Sequence, residues 1–415
     1  MVRIQFQTSE WLANVYKADH QKAQISSGRL ITSLPEDVWA LASVQLETIE
    51  ERLPKHSTVL VDAATMIFHQ MQLQQRRSRE MFLVDLETSC AAANDLLRMT
   101  ELTEQTLTKF QESCALSQES LLTLEAVTDE LIRQYSNDAV FSAQFVHTFI
   151  FEVLEEELAG KLFEFEWEDK TYNEMAMTIV RTIDDFLQDI EQWMESVMVR
   201  KSIYAIIKGC VNFYVRHLML KAAKRRKTAT SSCFQNDHRA LQRMAGDIKV
   251  LQDFFEEMVA AFPPLARIIE NEFEVLENVF GLLANASGFE KSAPEDFLPV
   301  IQKHTRNVKL TRYLVAGIWK VVNPSHEEYI HIIMDENFEQ LKALEVVENQ
   351  ISQEHIDPTL QLSVVLQGVV DETKRGGPIL KAKLKANAAE KMKKMKDVMK
   401  NLRREKGDRA RDHEV

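Results

Sequence analysis

The sequence predicts an all-α protein, an elongated rod of stacked antiparallel helical bundles. Three observations predict it. No proline stands between Pro54 and Pro263, and only Gly160, Gly209 and Gly246 interrupt that span, whereas sheet proteins need turn residues far more often. Apolar residues recur at steps of three and four, as in Met244, Ile248, Leu251, Phe255 and Met258. Helix starts are also legible. Ser33-Leu34-Pro35-Glu36 and Ser292-Ala293-Pro294-Glu295 each set a serine cap before an early proline, with a glutamate placed to reach back to the cap. Ser325 with Glu328 marks a third start after Asn323-Pro324.

From these marks, helices are expected at about 34–53, 57–90, 92–134 and 138–159. Segment 157–175, ELAGKLFEFEWEDKTYNEM, breaks the period with Gly160 and several aromatics and reads as a junction. Helices follow at about 173–199, 201–224 and 236–261, the last closed by Pro263-Pro264, then at about 265–286, 295–304, 306–321, 326–349 and 358–373. Gly376-Gly377-Pro378 detaches the end. The expected domains are an amino-terminal bundle (1–160), a middle bundle (161–290), a carboxyl-terminal bundle (291–377) and a basic amphipathic tail (378–415).

The 415 residues suffice for two or three domains. Cys90, Cys114, Cys210 and Cys233 form no CxxC pair, which indicates neither a zinc site nor a disulfide scaffold and fits a reducing, cytosolic setting. The amino terminus shows no secretory signal. No run of about 18 apolar residues occurs, so any membrane contact is expected to be peripheral. The net charge of −13 is unevenly spread: residues 379–415 carry 13 Lys plus Arg against six Asp plus Glu, a balance of +7 that leaves −20 for residues 1–378. An acidic body argues against a nucleic-acid binder.

Catalytic motifs are absent from the sequence. HEEYIH at 326–331 sets His326 and His331 five apart, roughly 140° around a helix, so they cannot chelate one ion as an HExxH pair does. There is no GxxxxGK[ST], GxGxxG or GxSxG. No catalytic, cofactor-binding or metal residue, no cofactor and no small-molecule substrate is therefore assigned. In RMAGDIKVLQDFFEEM (243–258), Asp253 and Glu257 share a face with Lys249, which reads as a solvated flank, while Leu251, Phe254 and Phe255 read as packing anchors.

Segment 201–227 is apolar nearly all round except for Lys208, Asn212 and Arg216, a polar line at four-residue steps. It ends in Lys221, Lys224, Arg225, Arg226 and Lys227, followed by a polar loop, Thr228 to Ser232, that phosphorylation could modulate. These cations either complement a helix dipole or meet an anionic surface or acidic partner. In the tail, Leu384, Ala388, Met392, Met395, Met399 and Leu402 form a stripe among cations that include Lys391, Lys393, Lys394, Lys396, Arg403 and Arg404. That pattern is a basic amphipathic helix suited to an acidic groove or an anionic membrane, or a solubilising tail.

Four stretches together resemble the Sec-six subunit family of the exocyst, the vesicle-tethering complex, of the component-three type and its carboxyl-terminal portion. They are SLPEDVWALASVQLETIEERL (33–53), IDDFLQDIEQWM (183–194), KSIYAIIKGCVNFYVRHLML (201–220) and RMAGDIKVLQDFFEEM with its trailing FPPL (243–265). Their order and spacing carry the resemblance, over most of residues 30–375. It implies a tethering-complex rod, no catalytic activity, and a cytoplasmic role holding secretory vesicles at the plasma membrane before SNARE-driven fusion. The implied partners are the other exocyst subunits, with SNARE proteins and small GTPases as further ones. The chain is shorter than family members and is expected to lack their amino-terminal coiled-coil part. Two alternatives stand beside this reading: a TNF-induced tethering-like relative of the same superfamily, and a cytoskeletal or coiled-coil scaffold. A coiled coil should sustain heptads, whereas here the period is interrupted and internal aromatics are many.

Overall fold

A computed structural model describes residues 2–17, 23–52, 57–79, 83–113, 116–170, 172–223, 232–288, 317–321, 360–362, 364–366 and 368–369. Ten helices occur among them: α1 (Val2–Lys17), α2 (Leu34–Arg52), α3 (Ser57–Ser78), α4 (Leu86–Ser113), α5 (Gln118–Leu158), the short α6 (Phe165–Asp169), α7 (Glu174–Trp193), α8 (Ser196–Ala223), α9 (Asp237–Glu257) and α10 (Leu265–Gly288). A hairpin, β1 (Gln24–Ser26) and β2 (Arg29–Ile31), stands between α1 and α2. The chain thus forms a helical-bundle fold in which sheet is confined to two three-residue strands among the described residues.

The spine is α5. At 41 residues it runs roughly 60 Å, long enough to pack against different helices along its two halves. Its first half lies against α3 and α4: Gln134 Nε2 donates to the Gln72 carbonyl at 3.0 Å, and Arg79 Nε pairs with Asp138 at 3.3 Å. Its second half lies against α8. Ser202 Oγ donates to the Ala143 carbonyl at 2.8 Å, and Arg216 reaches Glu155 at 2.7 Å, so α5 and α8 run in the same direction with α7 between them in sequence. A Cβ on Gly209 would collide with the Phe151 ring, which is why a glycine sits where these helices meet. Just past the end of α5, Gly160 takes a left-handed φ of 76°.

Three expected boundaries are corrected. The break expected at 199–201 falls between Trp193 and Ser196, the helix expected at 57–90 ends at Ser78 with α4 starting at Leu86, and the stretch expected as 92–134 and 138–159 is divided between Ser113 and Gln118 instead of at 134–138. Both real starts carry caps without proline. The Thr88 backbone N–H donates to Asp85 Oδ1 at 2.8 Å before α4, and the Ser120 N–H donates to Ser117 Oγ at 3.2 Å before α5. At 134–138 the polar run Gln134-Tyr135-Ser136-Asn137-Asp138 resembles a break, but tertiary partners on α3 and at Arg79 engage Gln134 Nε2 and Asp138 Oδ1 and the helix continues. At the start of α2 the cap is also different from the expected box. Thr32 Oγ1 accepts from the Leu34 N–H at 3.1 Å and Ser33 Oγ donates to Asp37, while Glu36 turns to Arg98 on α4 at 3.3 Å. The starts at Ser292 and Ser325, the helices at 295–304 and 326–349, and most of the carboxyl-terminal bundle and tail lie outside the described residues.

Candidate functional site

The most closely built polar arrangement lies at the junction of 157–175, where four elements meet on one carboxylate. Asp247 of α9 is fully buried. Its Oδ2 accepts from Trp167 Nε1 at 2.7 Å and Tyr214 OH at 3.0 Å, and its Oδ1 accepts from Asn173 Nδ2 at 2.7 Å. These donors come from α6, α8 and the N-cap of α7. Asn173 also donates to the Arg243 carbonyl at 2.9 Å, and it can do so because Gly246 leaves its side chain room: a Cβ there would stand 2.7 Å from the amide. Burial pushes the Asp247 carboxyl above its usual range, while the Asn173, Trp167 and Tyr214 hydrogen bonds and the Arg243 charge oppose the shift. The aromatic partners are themselves fixed. Phe163, at a left-handed φ of 64°, packs edge to face on Trp167 at 5.0 Å and on Tyr214 at 4.8 Å. Buried Glu168 accepts the backbone N–H groups of Gln235 and Asn236 ahead of α9.

The polar line of α8 is spent on neighbouring elements. Lys208 pairs with Glu272 of α10 at 3.9 Å, and Asn212 Nδ2 donates to the Leu360 carbonyl at 2.8 Å. Arg216 and His217 both meet Glu155 of α5, at 2.7 and 2.9 Å. Burial acts to raise the Glu155 carboxyl, yet His217 and Arg216 outweigh it and hold Glu155 below its usual range. Lys221 continues the line, 2.9 Å from Glu164 with its side chain 14% exposed. The helix-end cluster is therefore divided: Lys221 belongs to an ion pair within the junction, while Lys224, Arg225, Arg226 and Lys227 lie outside the described residues.

A second polar joint ties the hairpin to α4 and to the end of α7. Ser27 and Gly28 both have positive φ, as a type I′ turn requires. Arg29 Nη1 donates to the Glu191 and Gln192 carbonyls at the end of α7, at 2.6 and 3.0 Å. Asn94 Nδ2 donates to the Leu30 and Trp193 carbonyls, and its Oδ1 accepts from the Glu195 N–H. Next to it, Asp95 accepts from the Thr32 backbone N–H and hydroxyl at 3.0 and 2.5 Å. Burial raises the Asp95 carboxyl to about 7 against the lowering effect of these bonds.

Of the expected packing anchors, Leu251 and Phe255 are fully buried, and Phe254 is half-buried against the core with its ring 5.1 Å from Phe255. Asp253 and Glu257 are exposed. Lys391, Lys393, Lys394, Lys396, Arg403 and Arg404 lie outside the described residues, as do His326 and His331. Asp247 escaped the sequence reading, although a signal was present: it stands three residues after Met244 and four before Leu251, inside the apolar stripe. A carboxylate there must be buried and therefore bonded. Cys90, Cys210 and Cys233 are free thiols, and burial pushes Cys210 up to about 12, so it is not poised to react. Among the described residues no helix is long and apolar enough to cross a membrane, and no group of three or more His, Cys, Asp or Glu could hold a metal ion.

The chain is similar to known proteins. A sequence model described as exocyst complex component Sec6 matches residues 1–289. Among solved structures, the crystal structure of the C-terminal domain of the exocyst subunit Sec6p superposes with a TM-score of 0.66 at 15% identity, covering 87% of this chain and 94% of that one. That likeness shows a shared helical-bundle fold. With the sequence match extending over most of its length, this chain belongs to the exocyst complex component Sec6 family.

Proposed function

We propose that the protein is a non-catalytic subunit of the exocyst that holds secretory vesicles at the plasma membrane before SNARE-mediated fusion. The observation that carries this reading is the family match over residues 1–289, which includes the junction and the hairpin joint. The other exocyst subunits are its partners, with SNARE proteins and small GTPases as further contacts. It works in the cytoplasm, peripherally at sites of exocytosis. The division into bundles 1–160, 161–290 and 291–377 gives partners separate faces along one rod. A peripheral contact with anionic lipid falls to Lys224, Arg225, Arg226 and Lys227 and to the tail cations, each contributing about 1 kcal/mol near the surface.

Affinity purification of the native protein tests the assignment: other exocyst subunits should be recovered, and recovering none at gentle salt contradicts it. Liposome cosedimentation tests the lipid contact separately. Charge reversal of Lys391, Lys393, Lys394 and Lys396 to Glu should weaken binding to anionic vesicles, and unchanged binding removes the tail from that role.

A further inference from the structure

Helix α1 seals a threonine inside and leaves a phenylalanine and a tryptophan outside. Thr8, Leu12 and Tyr16 stand at steps of four, so they form one stripe, and each is fully buried. On the outer side Phe6 is 71% exposed and Trp11 39%. Thr8 Oγ1 is buried without a hydrogen-bond partner, whereas the equally buried Thr103 and Thr128 each donate to the carbonyl four residues back, at 2.7 and 2.8 Å. A hydroxyl shut away from water with no acceptor works against the seating of this helix. What holds it is a pair of apolar anchors, Leu12 and Tyr16, with Val15 half-buried beside them.

The seat itself is partly polar. Helix α1 packs chiefly on α3 and α2, and where it meets α3 the Tyr16 hydroxyl donates to buried Gln75 Oε1 at 3.1 Å. Water can take over both ends of that bond when the helix lifts, and it can also reach Thr8. Helix α8 stands in contrast. It is buried nearly all round from Met198 to Ala222, so it cannot leave without exposing core.

We propose that α1 is a releasable strap, which leaves its seat on α3 as a unit while α5 and α8 stay folded. Release adds Leu12, Val15 and Tyr16 to the exposed Phe6 and Trp11, and so turns a half-covered helix into one that is apolar on both sides.

Hydrogen exchange of the full chain, read by mass spectrometry, tests this. Amides of residues 6–17 should exchange about 100-fold faster than those of residues 139–154 in α5 and 203–219 in α8, yet more slowly than in an unstructured peptide of the same sequence. Exchange of α1 at the rate of α5 and α8, or at the unprotected rate, would overturn the proposal. Two variants separate a strap from an integral helix. Thr8→Val removes the unpartnered hydroxyl and should slow exchange in α1 about tenfold, whereas Leu12→Ala should speed it, with α5 and α8 unchanged in both. Unchanged α1 exchange in either variant, or a change shared by α5 and α8, would overturn it as well.

Discussion

At Asp247 one carboxylate satisfies donors from three other elements, so its removal exposes three unmet demands together. Asp247→Ala should cost about 3 kcal/mol or more in urea unfolding, because buried donors without acceptors bear the full desolvation cost. Asp247→Asn keeps shape and one acceptor and should cost less; equal losses would show that the hydrogen bonds do not matter. Gly246→Ala should destabilise by about 1–3 kcal/mol through displacement of Asn173, far beyond the usual small effect or gain of Gly→Ala in a helix. Titration separates the two other carboxylates by sign. Asp95 rises from 3.8 to about 7 on folding, so the folded form holds the proton more tightly, and its contribution is full below pH 3.8 and fades as pH rises through that window. Asp95→Asn should flatten the stability profile between about pH 4 and 7, and an unchanged slope contradicts the assignment. Glu155 is depressed below its usual 4.5, so its contribution is present above that value and is lost as pH falls through the lower one.

Helices α8, α9 and α10 show which interactions build the bundle. Phe255→Ala should cost about 3–5 kcal/mol, since the ring is fully buried and packs edge to face on Phe273, while half-buried Phe254→Ala should cost less. Lys208 and Glu272 form a pair with side chains only 7% and 13% exposed, where leaving one charge alone is expensive. Glu272→Leu should destabilise by about 3 kcal/mol, and adding Lys208→Met should recover much of it. No recovery would place Lys208's role elsewhere. The helices themselves were legible from the three-and-four period of residues such as Ile248, Leu251 and Phe255. Their boundaries were not, because Asp85 and Ser117 cap without a proline or glycine to advertise them, while Ser136-Asn137 imitates a break that packing overrides. The hairpin left only Ser27-Gly28 as a mark, and its strands are too short to show alternation. Asp247 was readable in principle from its place in the stripe, but its partners Trp167, Asn173 and Tyr214 are 33 to 80 residues away, and no local pattern joins them.

At the scale of the molecule, α5 packs against α3, α4, α7 and α8, and the hairpin and junction add polar ties between α4, α6, α7, α8 and α9. Charge also divides the sequence, with −20 over residues 1–378 against +7 over residues 379–415. The central claim is membership of a working exocyst. Its most direct test is to fractionate a gentle native lysate by size and follow this chain and the other exocyst subunits together by quantitative mass spectrometry. The chain should migrate in one high-mass peak with them, and that peak should lose the chain when the other subunits are depleted; migration as a free chain, unaffected by their depletion, would contradict the assignment.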